Sequence, residues 1–410
     1  TIVGIRAANS IVELSQAATA SGTVTVSFSP GITGSIASYA SPTSVTLSVS
    51  AQTSVTGGTY GGGLTYGSDD SAAVTAAAAA AVSFGAGAKI TLPSGSIYCQ
   101  GLGATALVGI SVVGAGPGSL GFGSVLIGKP GFAGDMVTLG KWGSVRDCGV
   151  EAGARGIVIT DAYARIQNVE VGGQSGDGVV FTTAQSVGAS LRDLHVNNCG
   201  GNGVNISFAT AYDNDLVGVT IGQCGANGLR IASSDIACTN LHSWGNGTAG
   251  VAGDQNGVRF IAGVAGNRFV NCYFESNYGR GVYASSSGCK GHTFVGCWFW
   301  RNIQQGIYYF TGSFHSINGC AFWDQGASTS GGAAAIANDT GNSWVVQGNV
   351  FYDDQGTKTQ TYAYQEIGTT SANTITGNNM QAANLKTASS LITSTTNIPV
   401  SASMGTLNNV

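Results

Sequence analysis

The chain has 410 residues and a formal net charge of -4, with 9% of residues charged and 65 glycines. Without a basic cluster it offers no electrostatic footprint for nucleic acid or an anionic membrane surface, so a neutral or mildly charged partner is expected. Six prolines, few Lys and Arg, and abundant Val, Ile, Thr, Ser and Asn favour short strands and tight turns, hence an all-β fold. A chain of this length would ordinarily form two or three compact domains, but one elongated repeat domain escapes that prior.

Residues 1–66 are rich in Ser, Thr, Val and Gly, carry no repeat phase, and read as a β-rich cap or association region. The opening TIVGIRAANS has neither a basic nor a continuous apolar stretch, and the Ala-rich run Ala72–Ala81 is too short to span a bilayer, so no membrane insertion is expected. Next comes GSDDSAAVTAAAAAAVSFGAGAKITLPSGSIYC, Gly67 to Cys99: an Asp cap, an Ala-rich helix, a Gly break and a strand ending at Pro-Ser-Gly. Such a helix would plug the open end of a solenoid. GAGPGSLG, from Gly114, lacks the Lys-Ser/Thr ending of a phosphate loop and reads as a plain loop.

From there Gly followed by an apolar residue recurs at Gly156, Gly178, Gly203, Gly228, Gly257, Gly281 and Gly306, with spacings of 22, 25, 25, 29, 24 and 25. Period-2 runs such as LRDLHV and NRFVNCYF surround each Gly. A coil of that length built from short strands predicts a right-handed parallel β-helix over 67–365. Counting back from each Gly, position minus nine (Val169, Leu194, Val219, Cys272, Cys297) and position minus seven (Val171, Val196, Ile221, Phe274, Phe299) are inward ladders. Position minus four (Cys199, Cys224, Asn277, Asn302) is a turn of stacked small or amide side chains. These positions explain several of the nine cysteines as buried thiols; the odd number and the spacing exclude a zinc knuckle or a fully paired disulfide framework. Residues 366–410, with a final rung at ANTITGNNM, read as a capping or association tail.

The Asp-Asp-Ser-Ala-Ala and Leu-Pro-Ser-Gly elements, with the coils that follow, resemble the entry motif of the pectate-lyase-like superfamily, common in phage tailspikes and polysaccharide-degrading enzymes. The resemblance covers about residues 67 to 360. It implies a polysaccharide depolymerase that assembles as a homotrimer and works outside the cell or on a phage tail. It does not place the catalytic groups, because fold alone does not fix chemistry.

The outward positions carry the chemistry. Position minus eight reads Glu170, His195, Thr220, Tyr273, Trp298, and position minus six reads Asn197, Gly222, Glu275, Trp300, continuing to Trp323 and Tyr352. The neighbouring column reads Ser276, Arg301, Asp324, Asp353, and position plus two ends in Arg230, Arg259, Tyr283, Tyr308. Exposed aromatics beside carboxylates and Arg suit a carbohydrate groove, because sugar C–H faces pack on rings and hydroxyls or uronates take hydrogen bonds. Tyr273, Trp298, Trp300, Arg301, Trp323, Tyr308, Arg259 and Tyr352 are therefore expected to bind substrate. The alternative use of such a stripe is a subunit interface.

Glycoside hydrolysis needs two carboxylates, ~5 to 5.5 Å apart for retention or ~6.5 to 9.5 Å for inversion. Glu275, among apolar rings that would favour its neutral form, is expected to be the general acid, with Asp324 and Asp353 as nucleophile or base. A lyase on the same scaffold, or a non-catalytic glycan-binding shaft, remains open. His195 and His242 read as solvated surface residues, the Asp pair in YDND (Tyr212 to Asp215) reads as a turn, and no cofactor or metal is expected.

Overall fold

In the computed structural model the described residues are 69–380, apart from 118–122, 130, 327–332 and 357–358, together with the backbone of strands within 2–47, 384–386 and 398–399. The chain forms two units, Thr1–Asp69 and Asp70–Val410. In the first, Ile2–Arg6, Ile11–Leu14, Thr25–Phe28, Ile32–Ser41 and Ser44–Leu47 make an antiparallel five-stranded sheet.

The second unit is a parallel β-solenoid of about 11 turns. Among its described residues the one helix, Ser71–Phe84, precedes the coils and contributes Val74 and Ala81 to the core. Most coils contain three short strands; in three others the first two run on as one eight-residue strand, Ser144–Glu151, Arg165–Gly172 and Ser190–Asn197. In one of the three-strand coils, Thr293–Val295 bends at Gly296 (φ 62°) into Trp298–Trp300, which bends at Arg301 (φ 48°) towards Ile307–Tyr309. The first two strands of every coil stack into one large sheet and the third into a 12-stranded sheet, all in parallel register.

The bend between the first and second strands falls at the same position in successive coils. Asp147, Asn168, Asp193, Gly218, Asn240, Asn271, Gly296, Gly319, Gly348 and Gly377 succeed one another there, all at positive φ. Asn, Asp and Gly are the residues that enter this left-handed region at low cost, so coil after coil turns at the same place.

Inside, the ladders stack on themselves. Phe274, Phe299, Phe322 and Phe351 lie ring on ring with centroids 5.0, 4.6 and 5.0 Å apart, close to the ~4.8 Å between strands. At the bend after the second strand, Asn246 donates to Asn277 (3.0 Å), Asn277 to Asn302 (2.9 Å) and Asn302 to Gln325 (3.1 Å). Each amide satisfies its neighbour, which is how buried polar groups are tolerated in an apolar interior. All nine cysteines are buried and none is in a disulfide.

At the corner ahead of the first strand, successive coils place Asn267, His292, His315, Trp344 and Asn373 inside the solenoid. His292 Nε2 faces the Val264 carbonyl at 2.8 Å and its Nδ1 meets the Tyr309 hydroxyl at 3.2 Å, while the His292 backbone N–H donates to His315 Nδ1 at 3.1 Å. These partners fit neutral rings. Burial lowers the His292 pKa to about 4, and burial followed by the neighbouring His292 pulls His315 well below the ordinary value.

The sign follows from linkage. An unfolded histidine titrates near ~6.5, so between that pH and about 4 the unfolded chain binds protons that the folded chain refuses. The stability is fully present above the unfolded value and is lost as pH falls, by about 3 kcal/mol for His292 alone. Urea unfolding at pH 7 and pH 4.5 should show this loss. His292→Asn, the residue the preceding coil uses at Asn267, should flatten the pH dependence; an unchanged slope would contradict the account.

Candidate functional site

The outward residues of the second-strand column form one continuous face. In register, His195, Thr220, His242, Tyr273 and Trp298 make one row, and Asn197, Gly222, Trp244, Glu275, Trp300, Trp323 and Tyr352 make the row beside it. Alternation along a strand puts both rows outside while Ser243, Phe274, Phe299 and Phe322 point in. The aromatic part covers five coils, from His242–Trp244 to Val350–Tyr352, a length of ~19 Å at the spacing of stacked strands.

The rings touch in series. His242 stacks on Tyr273 (centroids 5.0 Å), Tyr273 meets Trp298 edge-on (5.8 Å), Trp298 stacks parallel to Trp323 (6.0 Å) and Trp323 meets Tyr352 edge-on (5.2 Å). The Trp298 side is the open one, with that residue 43% exposed. Trp244 lies over Gly222, where a Cβ would collide with the indole, so the glycine makes room for the ring. The Trp300 indole N–H is shielded from solvent and has no hydrogen-bond partner.

Glu275 sits within this row of rings. His242 Nε2 lies 3.0 Å from its carboxylate, and the Tyr273 phenol is raised above its usual range, first by burial and then by the Glu275 charge beside it. His242 is thus no solvated surface histidine, which corrects the sequence expectation. That position falls in the coil whose Gly-to-Gly spacing is stretched to 29 by extra residues before Gly257, so a fixed offset from Gly skips it.

The acidic end differs more. Asp324 and Asp353 were expected to stack in one outward column, yet both are buried. Asp353 accepts from the backbone N–H groups of Gln355 (3.1 Å), Thr359 (2.8 Å) and Gln360 (2.8 Å), the contacts of a loop-closing carboxylate. Asp324 instead meets the next residue: its Oδ1 accepts the Asp354 backbone N–H at 2.9 Å and its Oδ2 accepts from Arg301 Nε at 3.2 Å. The register breaks because Asp324 takes a left-handed bend (φ 54°) that Asp353 does not repeat.

Burial raises the Asp324 carboxyl above the ordinary range, with the Asp354 N–H and Arg301 opposing. Asp354, exposed, is held below it chiefly by the Trp323 indole N–H at 3.2 Å. The Arg301 guanidinium lies 5.0 Å from the Trp300 ring centre. A further carboxylate pair stands at the other end of the same sheet, where burial and then the Glu170 charge raise the Glu151 pKa.

Tyr308 and Arg259, expected in the same groove, belong to a different sheet. Both are on third strands, Ile307–Tyr309 and Val258–Phe260, beside Tyr283 and Arg230. Among the described residues no group of three or more His, Cys, Asp or Glu is arranged to hold a metal ion, and no helix is long and apolar enough to cross a membrane.

The family model for the right-handed β-helix region matches residues 155–322. Among curated proteins no sequence matches. Among solved structures, the A-module of an Azotobacter vinelandii mannuronan C-5 epimerase is similar, with TM-score 0.61 and 16% identity over 82% of this chain and 96% of that one. The enzymatically active domain of bacteriophage CBA120 tailspike protein 2 matches with TM-score 0.53 and 15% identity over 77% of this chain and 46% of that one. The catalytic unit of an α-1,3-glucanase from Streptomyces thermodiastaticus gives TM-score 0.51 and 15% identity over 92% and 90%. At such identities the likeness is one of fold, and that fold is the right-handed parallel β-helix.

Proposed function

We propose that this protein binds a polysaccharide along the aromatic face of its second-strand column and cleaves it there. The observation that carries the reading is the row of rings from Trp244 to Tyr352 with Glu275 and His242 set among them. Ring faces pack against sugar C–H groups, and a shielded carboxylate within such a row is poorly explained by packing alone. The similarly folded epimerase module, tailspike and glucanase act on polysaccharides or carry an enzymatic domain by name, which agrees with this reading.

For hydrolysis, Glu275 is the carboxylate that activates water, oriented by His242, and the Asp324–Asp354 pair supplies the proton. Burial holds Asp324 in the protonated form at higher pH than an ordinary carboxyl. The sequence-based roles therefore exchange, and Asp353 becomes a structural residue. Glu275 and Asp324 stand two coils apart, about 10 Å, just beyond the ~6.5 to 9.5 Å of inverting pairs, so inversion at the anomeric carbon requires the twist of the coils to bring the two carboxyls closer.

One observation favours a second reaction. His242 packed on Tyr273 places an imidazole beside a phenol, the pair that β-elimination of a uronate needs. There a base takes the C5 proton, the C4–O bond breaks as the double bond forms, and the leaving oxygen receives a proton. Product masses decide between them: hydrolysis adds one water per cleavage, elimination adds none and leaves an unsaturated end.

Binding tests the face itself. Trp300→Ala should weaken oligosaccharide binding by more than about 1 kcal/mol while leaving the melting temperature nearly unchanged, because an outward ring adds little to the core. Equal loss of stability would mean that the ring is packed against protein. Assembly as a homotrimer and a place outside the cell or on a phage tail belong to the same proposal, and light scattering that gives a monomer at micromolar concentration would remove the trimer.

A further inference from the structure

The third-strand sheet carries a separate group of side chains that the proposed cleavage face does not use. Arg280, on the bend that enters this sheet, lies with its guanidinium carbon 4.4 Å from the Tyr283 ring centre and 4.7 Å from that of Tyr308. Its Nε donates to Gln305 Oε1 at 2.7 Å. Among the described residues no carboxylate pairs with it, and its two terminal nitrogens have no hydrogen-bond partner.

The neighbours point the same way. Tyr308 donates its hydroxyl to Asp339 at 3.1 Å, which fixes one ring of the pair. Arg259, one coil back, is ion-paired to Asp254, its guanidinium carbon lies 5.9 Å from the Tyr283 ring centre, and its Nε is shielded from solvent without a partner. Arg230 leans on Asn205 at 3.1 Å. Two guanidinium groups thus keep unused donors next to two rings.

We propose that Arg280, with Arg259 behind it, is a second glycan subsite that takes the carboxylate of an acidic sugar. A guanidinium is planar, and with Nε bound to Gln305 the edge made by its two terminal nitrogens is left to match a carboxylate bidentately. Desolvation by the flanking tyrosines strengthens such a contact, and the Tyr283 and Tyr308 rings offer faces for the sugar that carries the acid. An uncompensated, partly buried cation is costly as a folding element, which makes a ligand its natural complement. The inference rests on the polysaccharide reading and deepens it by naming the substrate class.

The test is calorimetric titration of wild type, Arg280→Gln and Arg280→Lys with hexaglucuronate and with a neutral glucan hexasaccharide, each variant checked by thermal melting. Wild type should bind the acidic sugar about tenfold more tightly than the neutral one. Arg280→Gln should remove that preference and leave neutral binding unchanged; Arg280→Lys, which keeps the charge and loses the fork, should retain part of it. If Arg280→Gln does not fold, Gln305→Ala frees the guanidinium from its support and should lower the acidic preference alone. Neutral and acidic sugars binding equally, or an acidic preference that survives in Arg280→Gln, would overturn this subsite and leave the cleavage reading standing. Failure of both sugars to bind would overturn both.

Discussion

Glu275→Gln should lower turnover on the natural glycan by about a thousandfold while substrate still binds, because losing a positioned acid or base costs on the order of 10²- to 10⁴-fold. The substitution keeps shape and hydrogen-bonding capacity but removes the ionisable group, so the rings around it stay in place. Both reactions considered above feel it: hydrolysis loses the group that activates water, and elimination loses the partner that orients His242 through the 3.0 Å contact. Asp324→Asn should match that loss only under hydrolysis. Asp353→Asn is the internal comparison. Its carboxylate holds the N–H groups of Gln355, Thr359 and Gln360, so the change should cost about 1–3 kcal/mol of stability with turnover per folded molecule nearly intact. Near-wild-type rates in Glu275→Gln would move the active site away from these rings, and the Glu151–Glu170 pair on the same sheet would be the next place to look.

Phe299→Ala should destabilise the fold by about 3–5 kcal/mol, the range for deleting a buried aromatic ring. Phe299 is fully buried between Phe274 and Phe322, with centroids 5.0 and 4.6 Å away, so the loss leaves a cavity with rings on both sides. Because a solenoid's coils contact mainly their neighbours, the damage falls on the interfaces above and below this coil and should broaden the unfolding transition. Chemical denaturation of Phe299→Ala beside Trp300→Ala separates the inward residue from the outward one. Similar losses in the two would contradict the assignment of inside and outside.

Alternation made that assignment readable before any coordinates, since a strand that buries Phe299 must expose Trp298 and Trp300. The stacking of Asn277 on Asn302 followed from their common offset, and the structure extends it to Asn246 and Gln325. The bend carries a signal that the sequence reading did not use: Asn168, Asp193, Gly218, Asn271 and Gly296 all lie ten positions before the repeat Gly, a pattern of left-handed formers that marks the corner.

The site was harder to read because it depends on departures from the repeat. His242 reads from the sequence as a solvated surface residue, with no sign of its contact to Glu275, and Asp354 goes unnoticed because the Asp324 bend is not repeated at Asp353. Tyr308 and Arg259 share an outward direction with Trp300, but outward on the third strand is a different face, and a linear offset does not say which sheet a strand joins. Functional groups sit where the period is broken, and a period-based reading is weakest there.

The central claim, that the aromatic face cleaves a polysaccharide, is tested most directly by the chain length of the glycan. Size-exclusion chromatography of a panel of bacterial surface and extracellular polysaccharides, before and after incubation with the protein, should show at least one collapse to oligosaccharides with wild type, and that polymer should remain intact with Glu275→Gln. A polymer that binds the protein yet keeps its full length would contradict the account and make this β-helix a glycan-binding shaft.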